Sequence, residues 1–214
     1  MVLTALITLI FAYLLGSVNF AVIFTAAFTK QDVRNMGSGN AGTTNVMRSA
    51  GALPGILTFV CDVLKGFISC AVGHYLFEYI GTHSDAFYGV GIYGAYACGV
   101  LCMIGHVFPL FFNFKGGKGV AVSVGIFAVC CPIAICIGLA VFAIMTLITK
   151  IVSVSSLTAT VAVVVLSMVF YADEALLWPQ AVMAVMMGVI IFLKHKDNIK
   201  RLIAGEEKHI SVRR

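Results

Sequence analysis

The residues whose types and spacing are best suited to chemistry lie between Gly105 and Val122, in the segment GHVFPLFFNFKGGKGVAV. Glycine allows backbone N–H groups to approach an anion closely, and a neighbouring lysine supplies positive charge. The apolar residues after Gly119 predict a helix, whose unpaired N–H groups and positive dipole end would point at the same anion. A tight basic loop between two membrane spans is the alternative interpretation. The candidate anion-binding residues of this segment are His106, Lys115, Gly116, Gly117, Lys118 and Gly119.

A second polar segment, NMGSGNAGTTNVMR at residues 35–48, combines three glycines with small hydroxyl and amide side chains and a final arginine. Such side chains can hydrogen-bond phosphate oxygens, and Arg48 can bind them in a bidentate manner. A helix start with a flexible loop is the alternative interpretation, because Ser, Thr and Asn also favour N-caps. The candidate phosphate-binding residues here are Gly37, Ser38, Gly39, Asn40, Gly42, Thr44, Asn45 and Arg48.

The third polar segment, KHKDNIKRLIAGEE at residues 194–207, follows the last apolar run. If that run continues as a helix, His195 and Asn198 are three residues apart and share a face. Histidine is the side chain best suited to exchange a proton near neutral pH. A basic helix that sets membrane topology or contacts lipid headgroups is the alternative interpretation.

The composition is that of a membrane protein. Of the 214 residues, 61% are apolar and 11% are charged, whereas a soluble domain has about 25% charged residues. Only short polar segments interrupt the apolar runs, so we expect a single membrane-embedded domain over residues 1–214. The seven cysteines all lie in apolar segments. Their odd number, without a framework of loops, argues against structural disulfides, and we expect free, buried thiols.

The distribution of basic residues predicts the orientation in the membrane. Apart from Lys65, Lys and Arg fall into four groups, and the positive-inside tendency assigns these groups to the cytoplasmic face. The breaks Thr82–Asp85 and Ala172–Glu174 contain acidic residues but no Lys or Arg, so we expect them outside. The four basic groups lie within residues 30–48, 115–118, 150 and 194–214.

Charges and segment lengths together predict seven transmembrane helices, with the N-terminus outside and the C-terminus in the cytoplasm. About 20 residues cross a bilayer core, but the apolar run 120–149 holds about 30 and contains Pro132, which suits a helix start better than a helix middle. Dividing the run at Pro132 keeps every basic group in the cytoplasm. Five spans, with 120–149 only partly inserted, is the alternative with the same orientation. The expected spans are 1–27, 51–79, 86–108, 120–149 in two parts, 152–171 and 176–193.

The segments GSGNAGTTNVMR, GHVFPLFFNFKGGKGVA and HKDNIKRLIAGEE resemble, in the same order, the three motifs of the bacterial acyl-phosphate:glycerol-3-phosphate acyltransferases, the PlsY type. The resemblance extends over the whole chain. Two positions depart from the family, since Thr43 stands at a position that is usually Ala and Val122 at one that is usually Thr, and both leave the motif chemistry in place. The resemblance implies a seven-span fold in the bacterial inner membrane, with the active site at the cytoplasmic face.

The resemblance also implies a reaction. A fatty acyl group would move from acyl phosphate, supplied from the lipid bilayer, to the 1-hydroxyl of sn-glycerol 3-phosphate. The products would be lysophosphatidic acid and inorganic phosphate, in the first step of phospholipid synthesis, without a metal, another cofactor or nucleic acid. The His-x4-Asp motif of other glycerol-phosphate acyltransferases is absent at His106 and His195, which Phe111 and Lys200 follow five residues later.

Five residues are assigned to catalysis by this resemblance and by their chemistry. Ser38 and the glycine N–H groups of the first two motifs would hold the acyl phosphate, while Arg48 and Lys118 would neutralise the phosphate and the developing oxyanion. His195 and Asn198 would orient glycerol 3-phosphate. Either His195 or a substrate phosphate would take the hydroxyl proton, and the sequence leaves both open.

Other polar residues are expected to support the site. Ser153 and Ser156 begin the sixth span and could add phosphate donors, although helix capping also explains them. Glu206 is expected to be structural rather than catalytic, as a partner of a nearby Lys or Arg at a helix end. Asp62 and Lys65, three residues apart in the second span, are expected to pair, because an intramembrane charge without a partner is costly.

Two functions from other classes use the same basic face. A transporter for anionic metabolites predicts helices broken near the middle of the membrane and internal repeat symmetry, and neither is apparent in the sequence. A non-catalytic lipid-binding scaffold would need the basic residues but not Ser38, His195 or Asn198. Replacement of Ser38 by alanine separates the scaffold from the enzyme.

Overall fold

The structure, a computed structural model, describes residues 2–83, 90–170 and 177–210. All regular secondary structure in these ranges is helical, which confirms the all-α prediction for this part of the chain. Two short 3-10 helices, Val33–Asn35 and Leu110–Phe112, lie in connecting loops. The α-helices are α1 Val2–Ser17, α2 Phe20–Thr29, α3 Thr43–Ala50, α4 Ala52–Thr82, α5 Gly91–Val107, α6 Val120–Cys130, α7 Pro132–Thr149, α8 Val152–Phe170, α9 Leu177–Lys194 and α10 Lys196–Ile203.

The chain divides into two compact units, Met1–Cys130 and Cys131–Arg214. In the first unit α4 is the central helix, and it packs against α1, α2, α3, α5 and α6. In the second unit α8 packs against both α7 and α9. That residues 1–214 act as a single domain stays a prediction.

The apolar run 120–149 is divided at Pro132, as predicted. Helix α6 ends at Cys130, and Pro132 is the first residue of α7, a position that tolerates proline because its N–H would have no intrahelical acceptor. Helix α6 has 11 residues and is about 16 Å long at 1.5 Å per residue. Since the hydrocarbon core is about 30 Å thick, full crossing by α6 stays a prediction.

Five segments of the described residues are long and apolar enough to cross a membrane, and α9 with α10 makes a sixth if that bent pair is one span. The predicted number of seven is therefore not confirmed, and the orientation stays a prediction. Of the breaks predicted to lie outside, Ala172–Glu174 and the second half of Thr82–Asp85 are outside the described residues. The five segments are Val2–Thr29, Ala52–Thr82, Gly91–Phe112, Pro132–Thr149 and Val152–Phe170.

The first predicted span, 1–27, is interrupted rather than continuous. Helix α1 ends at Ser17 and α2 begins at Phe20. Between them, the side-chain oxygen of Asn19 accepts a hydrogen bond of 3.3 Å from the N–H of Val22 and caps α2. The interruption leaves carbonyl groups at the end of α1 without intrahelical donors, and in a membrane such groups must find partners within the protein.

Lys65 supplies those partners. Its Nζ donates hydrogen bonds to the carbonyl oxygens of Gly16 (3.1 Å) and Val18 (2.8 Å), both at the interruption. The same Nζ lies 2.8 Å from Oδ1 of Asp62, and both side chains are at most 2% exposed. The predicted Asp62–Lys65 pair is confirmed, and it also joins the interrupted helix to the central helix α4.

All seven cysteines are free, and five of them are buried. Cys61 is half-buried, and the expectation of burial is wrong for Cys136, which is exposed on α7. The reason is the environment of α7, where the only buried residues are Ala134, Ile135 and Gly138, so most of this apolar helix faces outward.

Helices α4 and α5 approach each other closely at Gly73. A Cβ atom added there would lie 2.5 Å from the carbonyl oxygen of Gly94 and 2.7 Å from Sγ of Cys98. Because membrane helices associate through small residues, Gly73→Val is expected to destabilise the protein by about 1–3 kcal/mol through overpacking. A thermal melt in detergent measures this. The control Gly188→Ala, where the nearest atom to the new Cβ is 3.2 Å away, should have a smaller effect, and an unchanged Tm for Gly73→Val would contradict the close approach.

Candidate active site

The first loop, residues 30–42 between α2 and α3, is folded around the side chain of Asn45. This side chain is 3% exposed, and its Oδ1 accepts a hydrogen bond of 2.9 Å from the N–H of Ser38. Because its oxygen and its nitrogen both have backbone partners, Asn45 shapes the loop. Its contact with a phosphate stays a prediction. Its Nδ2 donates to three loop carbonyl oxygens, those of Val33 (3.1 Å), Met36 (2.9 Å) and Asn40 (3.0 Å).

The first loop presents Ser38 at its surface. Gly37 and Gly39 on either side have φ angles of 59° and 71°, in the left-handed region that glycine adopts without steric cost, and Ser38 between them is exposed. Helix α3 follows, and Arg48 is exposed in its last turn. The remaining predicted residues of this segment, all half-buried, are Asn40, Gly42 and Thr44.

The second loop, residues 108–119, begins where α5 ends and leads into α6. The N–H of Gly117 donates a hydrogen bond of 3.2 Å to the carbonyl oxygen of His106, which lies in the last turn of α5. Gly119 has a φ of 86° and α6 begins at Val120, so the helix predicted after the glycines is confirmed. The other predicted residues of this loop are the exposed Lys115 and the half-buried Gly116 and Lys118.

The two loops are joined to each other. Nη1 of Arg34 in the first loop donates a hydrogen bond of 2.8 Å to the carbonyl oxygen of Phe112 in the second. Asp32 holds this guanidinium through Nε (3.0 Å) and Nη2 (2.6 Å), and the hydrogen bond from Arg34 lowers the pKa of the Asp32 carboxyl. A Cβ atom added to Gly117 would lie 2.6 Å from the carbonyl oxygen of Ala41. The two glycine-rich segments therefore form one continuous surface.

His106 lies beneath this surface and not on it. Its side chain is 5% exposed, and its Nδ1 lies 3.6 Å from Oδ1 of Asp62 in α4. The opposite side of the imidazole faces the second loop, since a Cβ atom on Gly117 would lie 2.8 Å from its Cε1. That His106 contacts substrate stays a prediction.

His195 lies at a bend between α9 and α10. The axes of the two helices differ by 57°, because His195 has a ψ of 6° and leaves the helical conformation. Its side chain is 3% exposed, its Nδ1 lies 2.8 Å from the carbonyl oxygen of Ile191, and its own carbonyl accepts the N–H of Ile199. The helix expected after the last apolar run is present as α10, but it is bent away from α9 at His195.

The carboxylate of Glu207 accepts hydrogen bonds from three polar side chains. Oε1 accepts hydrogen bonds from Nδ2 of Asn198 (2.5 Å) and from Oγ of Ser153 (2.8 Å), and Oε2 accepts one from Nε of Arg201 (2.7 Å). Sequence analysis expected Glu206 to pair with a basic residue at this helix end, but Glu206 is exposed. The physical reason is the turn at Gly205, with a φ of 70°, after which the side chain of Glu207 and not that of Glu206 returns to α10.

The predicted site residues fall into two sets, one in each compact unit. The second set contains Ser156, which is 4% exposed, and three residues already described, Ser153, His195 and Asn198. Within residues 2–83, 90–170 and 177–210, no cluster of three or more His, Cys, Asp and Glu side chains could hold a metal ion. The first set contains Gly37, Ser38, Gly39, Asn40, Gly42, Thr44, Asn45, Arg48, His106, Lys115, Gly116, Gly117, Lys118 and Gly119.

Comparison with known proteins places this arrangement in a family. The profile of a family described as glycerol-3-phosphate acyltransferase matches residues 6–205. Glycerol-3-phosphate acyltransferase 2 of Bacillus anthracis is 36% identical over 205 residues, which cover 96% of this chain and 98% of that protein. The chain belongs to the glycerol-3-phosphate acyltransferase family. A glycerol-3-phosphate acyltransferase of Francisella tularensis subsp. novicida is 39% identical over 204 residues, which cover 94% of this chain and 91% of that protein.

Solved structures agree with this membership. The glycerol 3-phosphate form of PlsY (YgiH), an integral membrane glycerol 3-phosphate acyltransferase, has a TM-score of 0.84 and 35% identity, and the match covers 97% of this chain and 96% of that one. The lysophosphatidic acid form of PlsY has a TM-score of 0.81 and 34% identity, and the match covers 97% of this chain and 95% of that one. The protein is therefore an acyltransferase of the membrane, as the resemblance of its three polar segments implied.

Removing the link between the two loops is expected to impair acyl transfer more than stability. Arg34→Gln removes the hydrogen bond to Phe112, and kcat/KM is expected to fall about tenfold or more, because small displacements of a binding loop are costly. The stability loss should stay below about 1 kcal/mol, since the Arg34–Asp32 pair is partly exposed. Steady-state kinetics and thermal melts measure the two effects. The control Lys30→Gln, at an exposed residue of the same loop, should have the kcat/KM of the wild type. Unaltered kinetics in Arg34→Gln would contradict a role of this hydrogen bond in positioning the loops.

The Glu207 cluster predicts a pH-dependent contribution to stability. Burial raises the pKa of the Glu207 carboxyl, but hydrogen bonds from Asn198, Ser153 and Arg201 outweigh burial and hold the pKa below its usual 4.5. A carboxyl with a lower pKa in the folded chain stabilises the fold above its unfolded pKa. That contribution is lost as the pH falls through the folded pKa.

Glu207→Gln is therefore expected to destabilise the protein at pH 7 by about 1.5–3 kcal/mol, the usual cost of lost hydrogen bonds to a charged group. The difference in thermal midpoint from wild type should shrink as the pH is lowered below 4.5, the usual pKa of the group. Glu206→Gln, at the exposed neighbouring residue, is the matched control. A wild-type melting profile for Glu207→Gln at every pH would show that the cluster does not stabilise the fold.

Proposed function

We propose that the protein transfers a fatty acyl group from acyl phosphate to the 1-hydroxyl of sn-glycerol 3-phosphate, giving lysophosphatidic acid and inorganic phosphate. The observation that supports this most directly is the joined pair of glycine-rich loops, with the exposed Ser38 in the first loop and Arg48 in the helix that follows it. The two crystal structures of PlsY, one in the glycerol 3-phosphate form and one in the lysophosphatidic acid form, support the proposed acceptor and the proposed lipid product.

The first unit is proposed to hold the acyl phosphate. The phosphate would accept hydrogen bonds from glycine N–H groups of both loops and from the Ser38 hydroxyl. Arg48 and Lys118 would neutralise its charge and the charge that develops on the acyl carbonyl oxygen during attack. Acyl phosphate is a mixed anhydride and already activated, so positioning and charge stabilisation suffice for catalysis.

The second unit is proposed to orient glycerol 3-phosphate through His195 and Asn198, with Ser153 and Ser156 as further donors. The Glu207 carboxylate accepts hydrogen bonds from both Asn198 and Ser153, which supports a shared role. To donate to glycerol 3-phosphate, the single O–H of Ser153 would leave Glu207. The acceptor hydroxyl oxygen bonds to the acyl carbon, and the bond from that carbon to the phosphate oxygen breaks. The hydroxyl proton passes to His195 or to a substrate phosphate, and phosphate leaves.

The protein is proposed to lie in the bacterial cytoplasmic membrane with both sets of residues at the cytoplasmic face. The grouping of basic residues at 30–48, 115–118, 150 and 194–214 supports this orientation. An acyl phosphate that partitions into the bilayer and a water-soluble glycerol 3-phosphate would then meet at the membrane surface. The proposal retains seven crossings and a single functional domain, and it needs neither a metal nor another cofactor.

Donor choice tests the reaction directly. Purified protein in detergent or lipidic mesophase, without added metal, is given palmitoyl phosphate and glycerol 3-phosphate, with palmitoyl-CoA as a parallel donor. Release of phosphate and lysophosphatidic acid from palmitoyl phosphate alone is the expected result. Turnover with palmitoyl-CoA alone would refute the donor, and absence of turnover with either donor from folded protein would refute the enzyme and favour a transporter.

Ser38 tests the assignment of roles within the first loop. Ser38→Ala removes one proposed donor to the transition state, and kcat is expected to fall about 10²–10³-fold. The stability should be unchanged because the side chain is exposed. Ser167→Ala, in the other compact unit, is the control and should keep activity. Full activity in Ser38→Ala would remove the serine from the mechanism.

A further inference from the structure

Three buried side chains connect the middle of the first unit to the second glycine loop. Asp62 and Lys65 project from α4 and His106 from the last turn of α5. Lys65 Nζ lies 2.8 Å and His106 Nδ1 lies 3.6 Å from the same atom, Oδ1 of Asp62. All three side chains are at most 5% exposed. The carboxylate therefore has a cation on one side and an imidazole on the other.

Lys65 fixes the position of this carboxylate. An ammonium group has three N–H donors, and Nζ has three acceptors in Asp62 Oδ1 and the carbonyl oxygens of Gly16 and Val18. The two carbonyls belong to the backbone at the interruption between α1 and α2, which cannot move without leaving buried polar groups unpaired. The ammonium that pairs with the carboxylate is thus fixed by the backbone at the end of α1 and not by α4 alone.

His106 connects the carboxylate to the loop in two ways. Its backbone oxygen is one of the last carbonyls of α5, which have no intrahelical donor, and it accepts the N–H of Gly117. Its imidazole lies against the same glycine, where an added Cβ would be 2.8 Å from Cε1. Ala41 lies against the same position of Gly117, since the same Cβ would be 2.6 Å from the Ala41 carbonyl oxygen.

We propose that Asp62, Lys65 and His106 are positioning residues for the acyl-transfer site. Lys65 orients Asp62, and Asp62 orients the imidazole of His106. His106 in turn fixes the position of the Gly117 backbone relative to the first loop. His106 thus acts beneath the loop and neither binds substrate nor transfers a proton. The effect on acyl phosphate rests on the proposed function, whereas the effect on the loop does not.

The imidazole adds a second group at the buried carboxylate and also reaches the loop. The Asp62–Lys65 pair and the carbonyls of Gly16 and Val18 already satisfy the ammonium without His106. The imidazole adds a connection from this pair to the loop at Gly117, whose Cβ position also contacts the Ala41 carbonyl oxygen. A network that served only to stabilise the helices would not need to end at the loop backbone.

Hydrogen–deuterium exchange of the substrate-free protein tests the positioning without reference to activity. Peptides over residues 112–119 are expected to exchange faster in His106→Ala and in Asp62→Asn, with a smaller change in His106→Gln, which restores a polar side chain of similar length. The control His74→Gln alters a histidine farther along α4 and should leave these peptides unchanged. Unchanged exchange in His106→Ala would overturn the proposal.

Kinetics then separate positioning from direct chemistry. In His106→Ala the KM for acyl phosphate is expected to rise about 10- to 100-fold, the cost of a misplaced binding group, while kcat falls by less than about threefold. A fall in kcat of about 10²–10⁴-fold with KM unchanged would be the signature of an acid or base and would overturn the proposal. Faster exchange of the loop with unchanged KM for both substrates would also overturn it.

A double-mutant cycle tests the order of the connections. If Asp62 acts through His106, Asp62→Asn raises KM in the wild-type background and adds nothing in the His106→Ala background. Additive effects on KM would overturn this order. Asp62→Asn leaves Lys65 without its carboxylate. If this single variant is not monodisperse, the double variant Asp62→Asn/Lys65→Met, which removes both charges, takes its place in every measurement.

Inorganic phosphate separates failure of this inference from failure of the proposed function. Phosphate is expected to raise the Tm of the wild-type protein, and this shift is expected to be lost in His106→Ala and retained in His74→Gln. If the wild-type protein transfers no acyl group, the proposed function fails, and the exchange and phosphate measurements still decide the positioning. A full phosphate shift in His106→Ala would overturn it.

Discussion

A buried ammonium group in an apolar helix must find its charge partner and its acceptors inside the protein, and Lys65 finds both in Asp62 and at the interruption between α1 and α2. The interruption is tolerated because Lys65 satisfies the carbonyls that it releases. The same carboxylate reaches His106, and through it the Gly117 backbone. The first unit can therefore combine a glycine-rich loop surface with a core that contains buried charges.

Local rules predicted much of this structure from the sequence. Proline at the start of a helix explains the division at Pro132, and the charge rule for membrane helices explains the Asp62–Lys65 pair. The apolar run that follows Gly119 correctly predicted helix α6. Each of these predictions depends on residues that are close in the sequence, which is why no tertiary information was needed.

The features that sequence analysis missed depend on distant partners. The link from Arg34 to Phe112 joins residues 78 positions apart, so Arg34 was recognised only as part of a basic group, although Asp-x-Arg directly before a glycine-rich segment was an available signal. The interruption near Asn19 contains no Pro, and the lysine that stabilises it lies 47 positions from Val18. Glu207 was passed over for Glu206 because only the fold shows which carboxylate returns to α10.

The central claim is that the two joined glycine loops bind the phosphate of the acyl donor. A structure of the protein in lipidic mesophase with a non-hydrolysable acyl phosphonate tests it most directly. The account predicts phosphonate oxygens about 2.7–3.2 Å from loop N–H groups and from Oγ of Ser38, with Arg48 and Lys118 nearby and His106 out of contact. A phosphonate bound away from both loops, or held directly by His106, would contradict the account.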